Sequence, residues 1–86
     1  MPNIKKAQRE KYIDITNKIH RTCIENPADL SFLITQLMAE YMYQAGPGWT
    51  HASDILKAVD AAREEFMEEV YRPYEKWKRK ENGGVF

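Results

Sequence analysis

The sequence predicts an all-α fold: a small bundle of three helices plus a Pro-kinked C-terminal helical segment, assembled as a homo-oligomer. Apolar residues recur at spacings of three and four through three stretches of the chain, which is the helical period. Asn26-Pro27 and Gly46-Pro47-Gly48 separate those stretches, and no segment reads convincingly as a strand. Eighty-six residues allow a single helical domain over 1–86. A chain this short buries only about 60–65% of its unfolded surface, so its core needs a staple. Cys23 is the only cysteine, which excludes a disulfide framework and fits a reducing compartment. Self-association is the staple that remains.

The first helix is expected at about 7–24, with Tyr12, Ile15, Ile19 and Cys23 on one face. Proline at 27 ends it and suits the first position of the next helix, which Asn26 or Asp29 can cap. That second helix, about 28–45, carries Leu30, Leu33, Ile34, Leu37, Met38 and Tyr41 as a broad apolar stripe, predicted to be core. A left-handed glycine cap followed by proline closes it at Gly46-Pro47-Gly48. Thr50 is the expected cap of a third helix, about 51–71, whose buried face is read as Ala52, Ile55, Leu56, Val59, Ala62, Phe66 and Val70. Pro73 deprives the Glu69 carbonyl of its helical partner and disfavours helical geometry at Arg72. A kink is therefore expected there, with a short fourth helix at about 74–81 ended by Asn82-Gly83-Gly84.

Charge excludes some functions. The 13 basic and 13 acidic side chains cancel, so neither DNA nor RNA nor a membrane surface is an expected partner. No apolar run approaches the roughly 20 residues that span a bilayer, and the Met1-Pro2-Asn3-Ile4 start lacks a signal-peptide core. A cytoplasmic protein is expected. The charge is nevertheless segregated. Residues 1–11 hold four cations against one acid, and residues 60–69 hold Asp60, Glu64, Glu65, Glu68 and Glu69 against Arg63 alone. Residues 72–81 hold five cations against two acids. Such a pattern favours intermolecular docking, or fixes how the tail folds back.

Catalytic patterns are weak. Glu64 with Glu68 and Glu65 with Glu69 share helix faces, as carboxylates that hold Mg²⁺ in all-α nucleotide hydrolases do. The second acidic pair such enzymes need is absent, because Asp29 and Glu40 lie far apart, as do Asp14 and Glu25. A solvated acidic face is the simpler reading. His20 and Cys23 are three apart and share the chain with only one other histidine, His51, so a core or boundary cysteine beside a surface histidine is preferred to zinc. No metal, cofactor or catalytic constellation is expected. The tail is the better candidate. Arg72 offers a fork suited to phosphate and Lys76, Lys78, Arg79 and Lys80 add positive potential. Tyr71, Tyr74 and Trp77 can stack on a base. The alternative gives those rings to core or subunit packing and the lysines to water.

Three pieces of the chain carry a resemblance: Met1-Pro2-Asn3-Ile4-Lys5; Asp29-Leu30-Ser31-Phe32-Leu33-Ile34-Thr35; and Arg72-Pro73-Tyr74-Glu75 followed by Glu81-Asn82-Gly83-Gly84-Val85-Phe86. They resemble a family of short phage, bacterial and archaeal proteins of unknown function. Its members start Met-Pro-Tyr-Ile, carry Gly-Asp-Leu-Asn-Tyr-x-Ile-Thr and finish Pro-Tyr-Glu then Glu-Asn-Gly-Asp-Val-Tyr. This chain departs at Asn3, Ala28, Ser31, Gly84 and Phe86, so roles that need the acid at 84 or the final hydroxyl do not carry over. The family supplies no catalytic residues. Its phage members imply, by analogy of class alone, a nucleotide sponge of antiphage defence: a short helical homo-oligomer with aromatic and arginine pockets between subunits. The resulting expectation is a non-enzymatic binder of a cyclic oligonucleotide or cyclic ADP-ribose isomer. Arg72 and Lys76 hold phosphate, Tyr74 and Trp77 stack on the base beside Tyr71, and Lys5 and Arg9 close the pocket. The alternative is a structural or adaptor protein whose tail docks a protein partner. A Mg²⁺-dependent hydrolase through Glu64, Glu65 and Glu68 ranks third.

Overall fold

Periodicity at three and four residues appears as helix along nearly the whole chain. The computed structural model describes residues 4–83, and no strand occurs among them. The motif residues Met1-Pro2-Asn3 and Gly84-Val85-Phe86 lie outside that range. In order, the elements are α1 (Lys6–Arg9), a 3₁₀ turn (Glu10–Tyr12), α2 (Ile13–His20), α3 (Pro27–Ala45), α4 (Trp49–Phe66), a π turn (Met67–Tyr71) and α5 (Arg72–Glu81). The chain divides into two units, Met1–Glu40 and Tyr41–Phe86, with α3 running through the boundary.

In the first unit, the single helix expected at 7–24 is broken and shorter. Tyr12, at φ −107° and ψ 8°, leaves α geometry, and a 3₁₀ turn joins α1 to α2. The β-branched run Ile13, Ile15, Thr16 and Ile19 is only a modest helix former. Closure comes from Thr22, whose hydroxyl donates to the Lys18 carbonyl at 2.5 Å while its N–H tightens onto Ile19 at 3.0 Å. These bonds occupy carbonyls that the helix end leaves open. Asn26 then caps α3, its Oδ1 accepting the Asp29 N–H at 2.9 Å with Pro27 at the first helical position.

In the second unit, α3 ends on Gly46, which sits at φ +105° and donates its N–H to Met42 at 2.9 Å. The left-handed angle is one that glycine adopts at little cost. His51 Nδ1–H donates to the Gly46 carbonyl at 2.5 Å and ties the loop to α4. Thr50 is not the cap. α4 starts earlier, at Trp49, with Gly48 at the cap position and the Ala52 N–H donating to the Gly48 carbonyl at 3.0 Å.

The departure from helical geometry expected at Arg72 is absent as well, Arg72 lying at φ −62° and ψ −43°. Phe66, Met67, Tyr71 and Arg72 all keep right-handed helical angles, so helix continues from Trp49 to Glu81, about 50 Å at 1.5 Å per residue. The π turn explains this. Proline lacks an N–H and its ring crowds the carbonyl four residues back, here that of Glu69. Widening the preceding turn lets the Arg72 N–H donate to Met67, five residues back, and changes how the backbone approaches the ring. Asn82 and Gly83, the latter at φ +83°, end α5.

Among the described residues little of the predicted core is buried. Ile55, at 8% exposure, is the one buried hydrophobic residue among those described, with Ala52 and Val59 half-buried on the same helix. The α3 stripe is largely uncovered: Leu30, Leu33, Ile34, Leu37 and Tyr41 are exposed, and Met38 is half-buried. On α4 and beyond, Leu56, Ala62, Phe66 and Val70 are exposed too. The apolar faces are real. Among the described residues they stay largely exposed.

Candidate interaction site

The tail residues are carried by α5 and the π turn before it. Spacings of three put Tyr71, Tyr74 and Trp77 along one side of the helix. Their ring centroids are 6.4 and 6.2 Å apart, tilted by 39° and 36°, which makes a ladder of neighbouring rings. All three are exposed, and Lys78 Nζ lies 5.9 Å from the Trp77 ring. Lys76 follows Arg72 by four residues on the same exposed helix. Arg72 itself is engaged: its guanidinium donates to the Glu68 carboxylate across the π turn. An incoming phosphate has to compete with that carboxylate.

Lys5 and Arg9 belong to the first unit. The Lys5 N–H donates to Gln8 Oε1 at 3.2 Å, and Arg9 Nε donates to the Ile4 carbonyl at 3.1 Å, so both help to shape α1. The structure thus brings Arg72, Tyr71, Tyr74, Lys76 and Trp77 onto one helix, while Lys5 and Arg9 stand on another element.

Arginines also engage the acidic face. Arg63 Nη1 donates to Glu64 Oε1 at 3.1 Å, and Glu68 holds Arg72. Among the described residues no three His, Cys, Asp or Glu side chains gather as a metal-ion cage. The His20–Cys23 pairing falls away for a local reason: α2 ends at His20, so Cys23 lies past the helix, and it is exposed rather than core. No helix among the described residues is long and apolar enough to cross a membrane.

A second surface lies on the first unit, where Ile15, Ile19, Ile24 and Leu33 line an open, mainly aliphatic groove of about 350 Å³ with Asp14, Lys18 and Thr22. Sequence reading assigned Ile15, Ile19 and Leu33 to helical faces and passed over the groove. Its signal was present in the recurrence of Ile15 and Ile19 four residues apart on α2, but periodicity marks an apolar face without saying what lies against it.

These features define an all-α chain whose exposed helix faces combine apolar, aromatic and segregated charged residues. The chain belongs to the family described as Domain of unknown function (DUF6899), whose model matches residues 1–85. No curated protein and no solved structure matches it.

Proposed function

We propose that this chain is a non-enzymatic interaction module that works in the cytoplasm as an assembly, its apolar helix faces covered by other copies of itself or by a protein it docks. The observation that carries this reading is the exposure of Leu30, Leu37, Phe66, Val70 and Trp77 in a chain with one buried hydrophobic residue among those described. Apolar surface is worth about 25 cal/mol per Å² on removal from water, so faces of this extent favour a partner strongly. Subunits of such an assembly complete one another's cores, and the bundle expected from the sequence then forms between chains. Thermal unfolding of the pure chain over about a hundredfold range of concentration tests this. The midpoint should rise with concentration. A constant midpoint together with a monomeric mass overturns self-assembly.

A second reading is favoured by the exposed ring ladder beside cations: capture of a signalling nucleotide, such as a cyclic oligonucleotide or a cyclic ADP-ribose isomer. Tyr74 and Trp77 stack on the base beside Tyr71, Arg72 exchanges Glu68 for phosphate, and Lys76 adds charge. Lys5 and Arg9 close the pocket from the same or a neighbouring chain. Native mass spectrometry with a panel of such nucleotides should then show intact ligand at a fixed ratio to subunits, lost in Trp77→Ala and Arg72→Ala. An oligomer that retains none of the panel rules this reading out and leaves the interaction module standing.

A further inference from the structure

The helix from Trp49 to Glu81 carries opposite charge on its two halves. Asp60, Glu64, Glu65, Glu68 and Glu69 lie before Val70, and Arg72, Lys76, Lys78, Arg79 and Lys80 lie after it. Because helix continues through Pro73, the tail does not fold back over these residues. At 1.5 Å per residue Asp60 and Lys80 are about 30 Å apart, several times the ~8 Å over which physiological salt screens charge. Away from their junction, where Glu68 holds Arg72, the two halves therefore cannot neutralise each other along one helix. Among the described residues the ion pairs are the local ones, Arg63 with Glu64 and Arg72 with Glu68, and neither involves Asp60, Glu65, Lys76 or Lys80.

Phe66, Val70, Tyr74 and Trp77 follow one another at spacings of four, four and three along the same helix. They are 52%, 56%, 52% and 55% exposed. The stripe and the reversal of charge share a centre at Val70.

We infer that two copies of this chain pair antiparallel along residues 60–81, about a two-fold axis near Val70. This rests on the self-assembly proposed above and names its surface. With the axis at Val70, Phe66 meets Tyr74 of the second copy, and the two Val70 side chains meet each other. The acidic half of each helix then lies along the basic half of its neighbour, Asp60 level with Lys80, Glu64 with Lys76 and Glu68 with Arg72. The contact is self-complementary, as a two-fold interface must be. Parallel pairing sets acid on acid and base on base, which electrostatics penalises. A nucleotide pocket on Tyr74 and Lys76 would be built from both copies.

The test uses the full chain with Cys23→Ser as background. Chains carrying Asp60→Cys are mixed with chains carrying Lys80→Cys and oxidised. A disulfide joining the two kinds of chain is expected, in clear excess over links between like chains. In parallel, reversal of the acids (Asp60 and Glu64→Lys) and of the bases (Lys76 and Lys80→Glu) should each weaken self-association by roughly tenfold or more, and mixing the two variants should restore it. Links between like chains alone, or self-association that ignores both reversals, overturns the antiparallel pairing while leaving self-assembly intact. A wild-type chain that stays monomeric overturns both.

Discussion

The Asn26 side chain accepts the Asp29 N–H and its carbonyl accepts the Leu30 N–H, and these bonds fix where α3 begins. Two candidate caps were legible in the sequence, and the geometry selects the residue immediately before Pro27 because proline takes the first helical position. Asn26→Ala should lower stability by about 1 kcal/mol, as read from the shift in a chemical denaturation midpoint. Ile55 makes a sharper contrast with its neighbours. As the one buried hydrophobic among the described residues, it should cost about 2–3 kcal/mol when truncated to alanine, the low end for a small cluster. Leu37 is 65% exposed, so Leu37→Ala should leave the single chain nearly unchanged, within about 0.5 kcal/mol, yet weaken the assembly measurably. Unfolding of each variant at low and high concentration separates these effects. Arg72 shows how a site can be half legible. Its guanidinium was read as a phosphate fork, and that Glu68, four residues earlier, engages it comes from the structure.

Among the elements, helices were legible because a three-to-four residue period needs no tertiary information. Their interruptions were less so. The non-helical geometry expected at Arg72 follows from the steric rule for proline, and that rule holds for an unmodified α-helix. It does not register that a turn of five-residue bonds can precede the proline and keep the chain helical. The opposite happened at Tyr12, where a period consistent with one helix conceals a 3₁₀ turn. Pro73→Ala removes the reason for the π turn. The segment Met67–Tyr71 should then relax to α-helix, which turns the face bearing Tyr74 and Trp77 relative to Phe66 and Val70. Helical circular dichroism should hold or rise while self-association weakens. Association unchanged by Pro73→Ala would detach the π turn from the interface.

For the whole molecule, the all-α class was legible, and so was every apolar stripe. What covers the stripes was not. A helical wheel reports that a face is apolar, and the same pattern serves a core inside one chain and an interface between two. Leu30, Leu33, Ile34 and Leu37 read as core on that ground, and in the single chain they are exposed. The charge halves of residues 60–69 and 72–81 were legible as well, with two outcomes open: docking to another chain or folding back. Unbroken helix across Pro73 excludes the second, because it holds the halves apart. In the proposed assembly this chain becomes stable by covering its helix faces with another chain, in the first instance its own copy. Sedimentation equilibrium of the wild-type protein across the micromolar range tests that claim most directly. A discrete oligomer that dissociates on dilution with loss of helix is expected. A helical monomer at every concentration would contradict it.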